Sequence, residues 1–218
     1  VPDLRLWTFR LSPFAGKVRA AFAEKGVEVE LVEIHPGRRP ARLKELNPLG
    51  RVPVLEVGDT VIRESWVVCE WLDETHPEPP LWPADPQLRA WTRGWSRYID
   101  DVPAASFFLG MNKLAFGLRD DDRPDEVERL HRRVPKSWPL LEEALGVHDG
   151  PWLAGEQFTL ADLSAMALAV RLPQWAAPLV PDPQQFPRTD AWMAALRDRP
   201  SAAAIDAKGD PVLSADGS

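Results

Sequence analysis

The stretch Leu11-Ser12-Pro13-Phe14-Ala15-Gly16-Lys17-Val18-Arg19 decides how this chain is read, because a strand gives way to a helix there. Leu4-Arg5-Leu6-Trp7-Thr8-Phe9 reads as the strand, and Phe14, Val18, Ala21 and Phe22 recur after it at helical spacing. Ser12 falls at the N-cap and Pro13 at the first helical position. A serine oxygen accepts from an orphan N–H of the first turn, and proline has no N–H to lose there. The same hydroxyl keeps a proton to donate, so it can cap its helix and also stabilise an anion at the helix N-terminus, a thiolate included. Most Ser-Pro pairs are caps alone, and these residues by themselves leave both readings open.

Working outward, Gly26 stands where a left-handed helix end is expected, and Val27-Glu28-Val29-Glu30-Leu31 alternates as a half-buried second strand. Strand, helix and strand suggest a parallel β-α-β unit. A Pro-, Gly- and Arg-rich loop and a short amphipathic piece over residues 41–46 follow. Asn47-Pro48-Leu49-Gly50-Arg51-Val52-Pro53-Val54-Leu55-Glu56-Val57 enters a third strand, Gly58-Asp59 turns, and Thr60-Val61-Ile62-Arg63 returns as a hairpin. Pro53, at the start of that strand, is either an edge device or a cis bond in a tight turn. Glu64-Ser65 precedes an apolar-periodic stretch over residues 66–72, with Ser65 reading as a second N-cap and Cys69 as a small buried residue.

Residues 77–86 hold five prolines, too many for a helix or a central strand. They separate a first unit, residues 1–76, from a second, residues 87–218, that reads as all helical. In the second unit a helical pattern runs over residues 87–116, with a break expected at Pro103. A further helix is expected over 125–145, distorted by Pro135 and Pro139, and others over 163–172 and 189–198. Thr159-Leu160-Ala161-Asp162 has the form of a capping box ahead of the first of these last two.

The net charge of −7 argues against a general nucleic-acid binder. Four scattered histidines and one cysteine offer no metal-ligand spacing and no disulfide, so no metal is expected. The first residues carry no signal-type apolar region and no run is long enough to span a membrane, so the expectation is a cytoplasmic protein.

In order and spacing these pieces resemble the cytosolic glutathione S-transferase family over nearly the whole chain. Four matches carry the resemblance: Ser12-Pro13-Phe14 with Lys17-Val18-Arg19, the Asn47 to Leu55 loop, Glu64-Ser65, and Phe158-Thr159-Leu160-Ala161-Asp162. The first is closest to the omega and zeta-like pattern, with serine where omega-type members have cysteine. The resemblance implies a thioredoxin-like α/β N-terminal domain and an all-α C-terminal domain, with glutathione as co-substrate and no metal. It makes Ser12 the catalytic residue, donating to the glutathione sulfur. Val52 would pair its main chain with the cysteinyl part, Pro53 would shape the turn, and Glu64 and Ser65 would hold the γ-glutamyl end. Arg51 stands where a residue often reaches the glycyl carboxylate, with a solvated loop charge as the alternative; Arg38 and Arg39 are weaker candidates for that end. Phe14, Phe107, Phe108 and Met111 would line the pocket of a hydrophobic electrophile, and a homodimer is implied.

With no tyrosine in the first unit, tyrosine-type activation is excluded, and a serine cannot form the mixed disulfide of the cysteine-type members. The resulting expectation is a serine-type transferase. The alternatives are a non-catalytic ligand-binding protein of the same fold and a glutathione-dependent isomerase or peroxidase.

Overall fold

A computed structural model of the chain describes residues 4–34, 38–104 and 124–205. Its first unit is a four-stranded sheet in the order β2-β1-β3-β4, made of β1 (Leu4–Thr8), β2 (Glu30–Glu33), β3 (Val54–Val57) and β4 (Thr60–Arg63). β1 and β2 are parallel, whereas β1–β3 and β3–β4 are antiparallel. Three helices accompany the sheet: α1 (Pro13–Lys25), α2 (Ala41–Leu46) and α3 (Ser65–Thr75).

Alternation along β1 sorts its side chains between two apolar layers. Leu4 and Leu6 join Val18, Phe22, Val68 and Leu72 from α1 and α3, whereas Trp7 joins Leu43, Leu46 and Val54 on the side of α2. The sheet is therefore the middle layer, with α1 and α3 on one face and α2 on the other. This is the thioredoxin-like arrangement.

The second strand begins later than alternation predicts, at Glu30 rather than Val27. The end of α1 takes up the missing residues: Gly26 is left-handed at φ 62°, and the Val27 N–H bonds back to the Phe22 carbonyl at 3.1 Å. Val27 and Val29 still pack on the larger core, while Leu31 is left 51 % exposed.

The second unit contains α4 (Pro86–Ile99), a π-helical turn (Asp100–Ala104), α5 (Pro124–Lys136), α6 (Trp138–Ala144), α7 (Leu160–Trp175) and α8 (Pro187–Asp198). A 3₁₀ turn (Pro200–Ala204) follows. The long helix expected over 87–116 is regular only to Ile99, Pro103 lies within the π-helical turn, and its remainder lies outside the described residues. The single helix expected over 125–145 is two, α5 and α6, divided at Ser137. Pro135 and Pro139 have no N–H for the i→i−4 ladder, which is why the junction falls between them. Helix α7 is central, with Leu160, Ala161, Leu163, Met166, Leu168 and Leu172 fully buried, and it packs on α1, α4 and α8.

The two units are tied by polar contacts as well as apolar ones. Glu24 on α1 accepts from Arg199 at 2.8 and 2.6 Å, and in the segment between the units the Leu81 carbonyl accepts from the Leu160 N–H at 3.0 Å. Among the described residues no helix is long and apolar enough to cross a membrane.

Candidate functional site

Sheet register brings three candidate segments of the sequence to one end of the sheet. Trp7 pairs with Val54 and Val54 with Arg63, so β1, β3 and β4 lie level in a single row. The loop to Ser12 leaves one side of this row, Val52-Pro53 enters β3 beside it, and Glu64-Ser65 leaves β4 next to them.

Ser12 caps α1 as its sequence predicts. Its Oγ accepts from the Ala15 N–H at 3.2 Å, its own N–H reaches the Phe9 carbonyl at 2.9 Å, and its carbonyl accepts from Gly16 at 2.8 Å. The cap uses the hydroxyl as an acceptor, which leaves its proton for a ligand. Ser12 is buried, with 2 % of its surface exposed. Phe14, the second residue of the same helix, is half-buried.

The loop before β3 is organised by Asn47, which is buried and uses both ends of its amide. Its Nδ2 donates to the Arg51 carbonyl at 3.0 Å, and its Oδ1 accepts from the Leu49 N–H at 3.1 Å. The Val52–Pro53 bond is cis, the second of the two alternatives open for Pro53. Pro53 is buried and Val52 half-buried, while the Arg51 side chain is exposed. Arg39 donates to the Gly50 carbonyl at 3.2 Å and so braces this loop; Arg38 is exposed.

At the start of α3 the cap lies one residue earlier than expected. Glu64 is the N-cap, and Ser65 is the first helical residue. Glu64 has φ 69° and ψ 124°, strained for a residue with a Cβ, and among non-glycine residues described it alone has a positive φ. The turn follows because β4 must pass directly into α3, and it leaves the Glu64 carboxylate exposed beside a buried Ser65.

Residues 6–80 match the N-terminal domain of glutathione S-transferases, and residues 104–200 match the C-terminal domain. The mouse glutathione S-transferase omega-1 is 32 % identical over 215 residues, spanning 95 % of this chain and 84 % of the relative. A probable maleylacetoacetate isomerase of Caenorhabditis elegans is 31 % identical over 180 residues, spanning 82 % and 83 %. The chain belongs to the glutathione S-transferase family. The crystal structure of a glutathione S-transferase from Rhodospirillum rubrum superimposes with a TM-score of 0.80 at 28 % identity, covering 96 % of this chain and 95 % of that one.

This transferase carries two buried arginines behind the Ser12 loop: Arg19, which the sequence shows as the last residue of the Lys17-Val18-Arg19 match, and Arg171, to which nothing in the sequence points. Arg19 on α1 donates to Thr8 Oγ1 at 2.5 Å and to the carbonyls of Phe9 at 3.4 Å, Arg10 at 3.0 Å and Ala204 at 2.9 Å. Arg171 on α7, fully buried, donates to the Leu11 carbonyl at 2.6 Å, the Ile205 carbonyl at 2.8 Å and the Arg10 carbonyl. Burial lowers the Arg19 pKa to about 10, against the opposing charge of Glu33, and Arg10 adds to the lowering. It stays protonated at neutral pH. A second buried pair, Lys17 with Asp100, joins α1 to the π-helical turn.

Of the residues expected around the second substrate, Phe107, Phe108 and Met111 lie outside the described residues. Trp91, Trp95 and Tyr98 form an edge-to-face series on α4, with centroids 5.7 and 5.4 Å apart. They are half-buried and pack on the main core rather than inside it. Cys69 is 1 % exposed, and burial pushes its thiol up to about 12 against the opposing charge of Lys17, so it is neutral at physiological pH.

Proposed function

We propose that this transferase lays glutathione across the ends of β1, β3 and β4 and activates its thiol through Ser12 for attack on a hydrophobic electrophile. The observation that carries the reading is the level row Trp7–Val54–Arg63, from whose one end the Ser12, Val52 and Glu64-Ser65 segments all emerge. An extended tripeptide matches such a row. The half-buried Val52 main chain pairs with its middle, and the α3 N-terminus at Ser65 accepts its γ-glutamyl carboxylate. The exposed Glu64 carboxylate meets its amine, and the exposed Arg51 meets its glycyl carboxylate.

In this reading Ser12 Oγ donates to the sulfur while its lone pair stays on the Ala15 N–H. A thiol of pKa about 8.5 is only about 3 % ionised at pH 7, and lowering its pKa by about 2 units requires roughly 2.7 kcal/mol. A hydrogen bond to the charged sulfur contributes about 1.5–3 kcal/mol and the helix terminus about 0.3–1 kcal/mol, so no general base is needed. The thiol proton goes to solvent. The thiolate forms a carbon–sulfur bond as the electrophile's leaving group departs with its electron pair. We extend the reading to a homodimer, as the resemblance to the family implies, and to a cytoplasmic setting.

With an activated aromatic halide as electrophile, Ser12→Ala is expected to lower turnover at pH 6.5 by about 10- to 100-fold, the range that about 1.4–2.7 kcal/mol supplies. Unchanged turnover in Ser12→Ala would remove Ser12 from the mechanism. A second reading, a glutathione or apolar-ligand carrier, is favoured by the 2 % exposure of Ser12. It predicts binding without turnover across a panel of electrophiles.

A further inference from the structure

The chain from Thr8 to Leu11 leads into Ser12, and its main chain is held both from α1 and from the other half of the molecule. The Leu11 carbonyl belongs to the planar peptide unit that also carries the Ser12 N–H. Arg171 Nη1 bonds that carbonyl at 2.6 Å, while the N–H on the opposite side of the same plane bonds Phe9 at 2.9 Å. Both sides of the plane are thus fixed. One residue earlier, the Arg10 carbonyl accepts from Arg171 and from Arg19 together, although the Arg10 side chain itself is exposed.

Placing a guanidinium in a fully buried position on α7 is expensive unless its charge is met by well-aimed acceptors. Its terminal nitrogens reach three main-chain carbonyls, two in the Ser12 loop and one at Ile205. A planar fork suits that task, and a compact ammonium does not span it.

We propose that Arg171 is a positioning residue for Ser12, setting the direction of its hydroxyl through the Arg10 and Leu11 carbonyls. This rests on the reading that Ser12 activates glutathione. Arg19 supports the same loop from α1. Because Arg171 and Arg19 also hold Ile205 and Ala204, the segment after α8 is tied into the same support. A loosened loop misdirects the hydroxyl and weakens its bond to the sulfur. The segments at Val52 and Glu64-Ser65 continue to hold the tripeptide.

The test is the pH profile of kcat/KM with glutathione and an aromatic halide for the wild type, Arg171→Lys and Ser12→Ala. Arg171→Lys keeps the charge and loses the fork. Its acid limb is expected to move up by about one pH unit, giving roughly fivefold lower activity at pH 6.5, where the wild-type thiol is about half ionised. The two profiles should converge above about pH 9, where even a free thiol is ionised. KM for glutathione should change less than twofold. A purely structural role would lower activity equally at every pH and leave the limb in place.

A folded Arg171→Lys with the wild-type limb overturns the positioning role while a shifted Ser12→Ala limb leaves the Ser12 reading standing. A Ser12→Ala limb coincident with wild type overturns both. Should Arg171→Lys not fold, Arg171→Gln decides, since it removes both the buried charge and the fork that reaches the Arg10 and Leu11 carbonyls. An upward shift of its limb supports the proposal, and an unmoved limb overturns it.

Discussion

At Ser12 the hydroxyl accepts from its own helix and keeps its proton, which the proposed mechanism gives to the glutathione sulfur. This division of labour was legible in the sequence, since an N-cap followed by proline is a local signal. The aim of the hydroxyl was not legible. It depends on Arg171, 160 residues from Leu11, and nothing in the spacing of either residue points to the other. Glu64 lies between these cases: the sequence marked it as a candidate, but only the backbone reveals that it, and not Ser65, caps α3. Cys69 gives a prediction at this scale. Burial holds its thiol neutral, with a pKa of about 12, so an aromatic disulfide reagent should leave it unmodified in the folded protein and label it fully in denaturant. Rapid labelling of the native protein would show that the core around Lys17 and Asp100 opens.

Among the elements, α7 depends on Asp162 for more than a cap. The capping box was visible in Thr159-Leu160-Ala161-Asp162, and its carboxylate does accept from the Thr159 N–H and hydroxyl, both at 2.9 Å. It also accepts from the Leu153 N–H at 3.0 Å and from Trp192 Nε1 on α8 at 2.9 Å, contacts that no local pattern predicts. Asp162→Ala therefore strands several buried donors and should cost about 2–4 kcal/mol in urea denaturation, beyond the loss of an ordinary cap. The folded variant should keep wild-type glutathione affinity. A loss below about 1 kcal/mol would mean that water or rearrangement replaces the carboxylate. Element boundaries were the least legible feature. β2 was displaced by the closing turn of α1, and the helix expected over 125–145 was divided at Ser137, because both outcomes depend on how chain ends satisfy their N–H groups rather than on apolar period.

For the whole molecule, acid should separate what Glu24 and Glu142 hold together. Burial alone would raise the Glu24 pKa, but the hydrogen bonds and charge of Arg199, with Ser201, bring it below the ordinary value. Glu142 on α6 is likewise lowered against its burial, by the N–H groups of Thr189 and Arg188 at the start of α8 and by the Thr189 hydroxyl. Both folded pKa values lie below the unfolded one, so the stabilisation is present in full above about pH 4.5 and is lost as pH falls through the folded values. Denaturation midpoints measured from pH 7 to pH 3 should fall less steeply for Glu24→Gln than for wild type. Equal slopes would remove Glu24 from the acid response. The two-unit plan and the order of the site segments could be read from sequence because they follow from apolar period, turn residues and proline density. The contacts joining the units could not, since each pairs residues distant in the chain. The claim on which the account turns is that Ser12 ionises bound glutathione, and the direct measurement is the thiolate absorbance of bound glutathione against pH, in wild type and Ser12→Ala, with affinity measured separately. The account predicts a thiol pKa about 2 units below that of a free thiol in the wild type, and its return toward about 8.5 in Ser12→Ala with binding retained. A bound thiol that titrates like a free one in both proteins would contradict it.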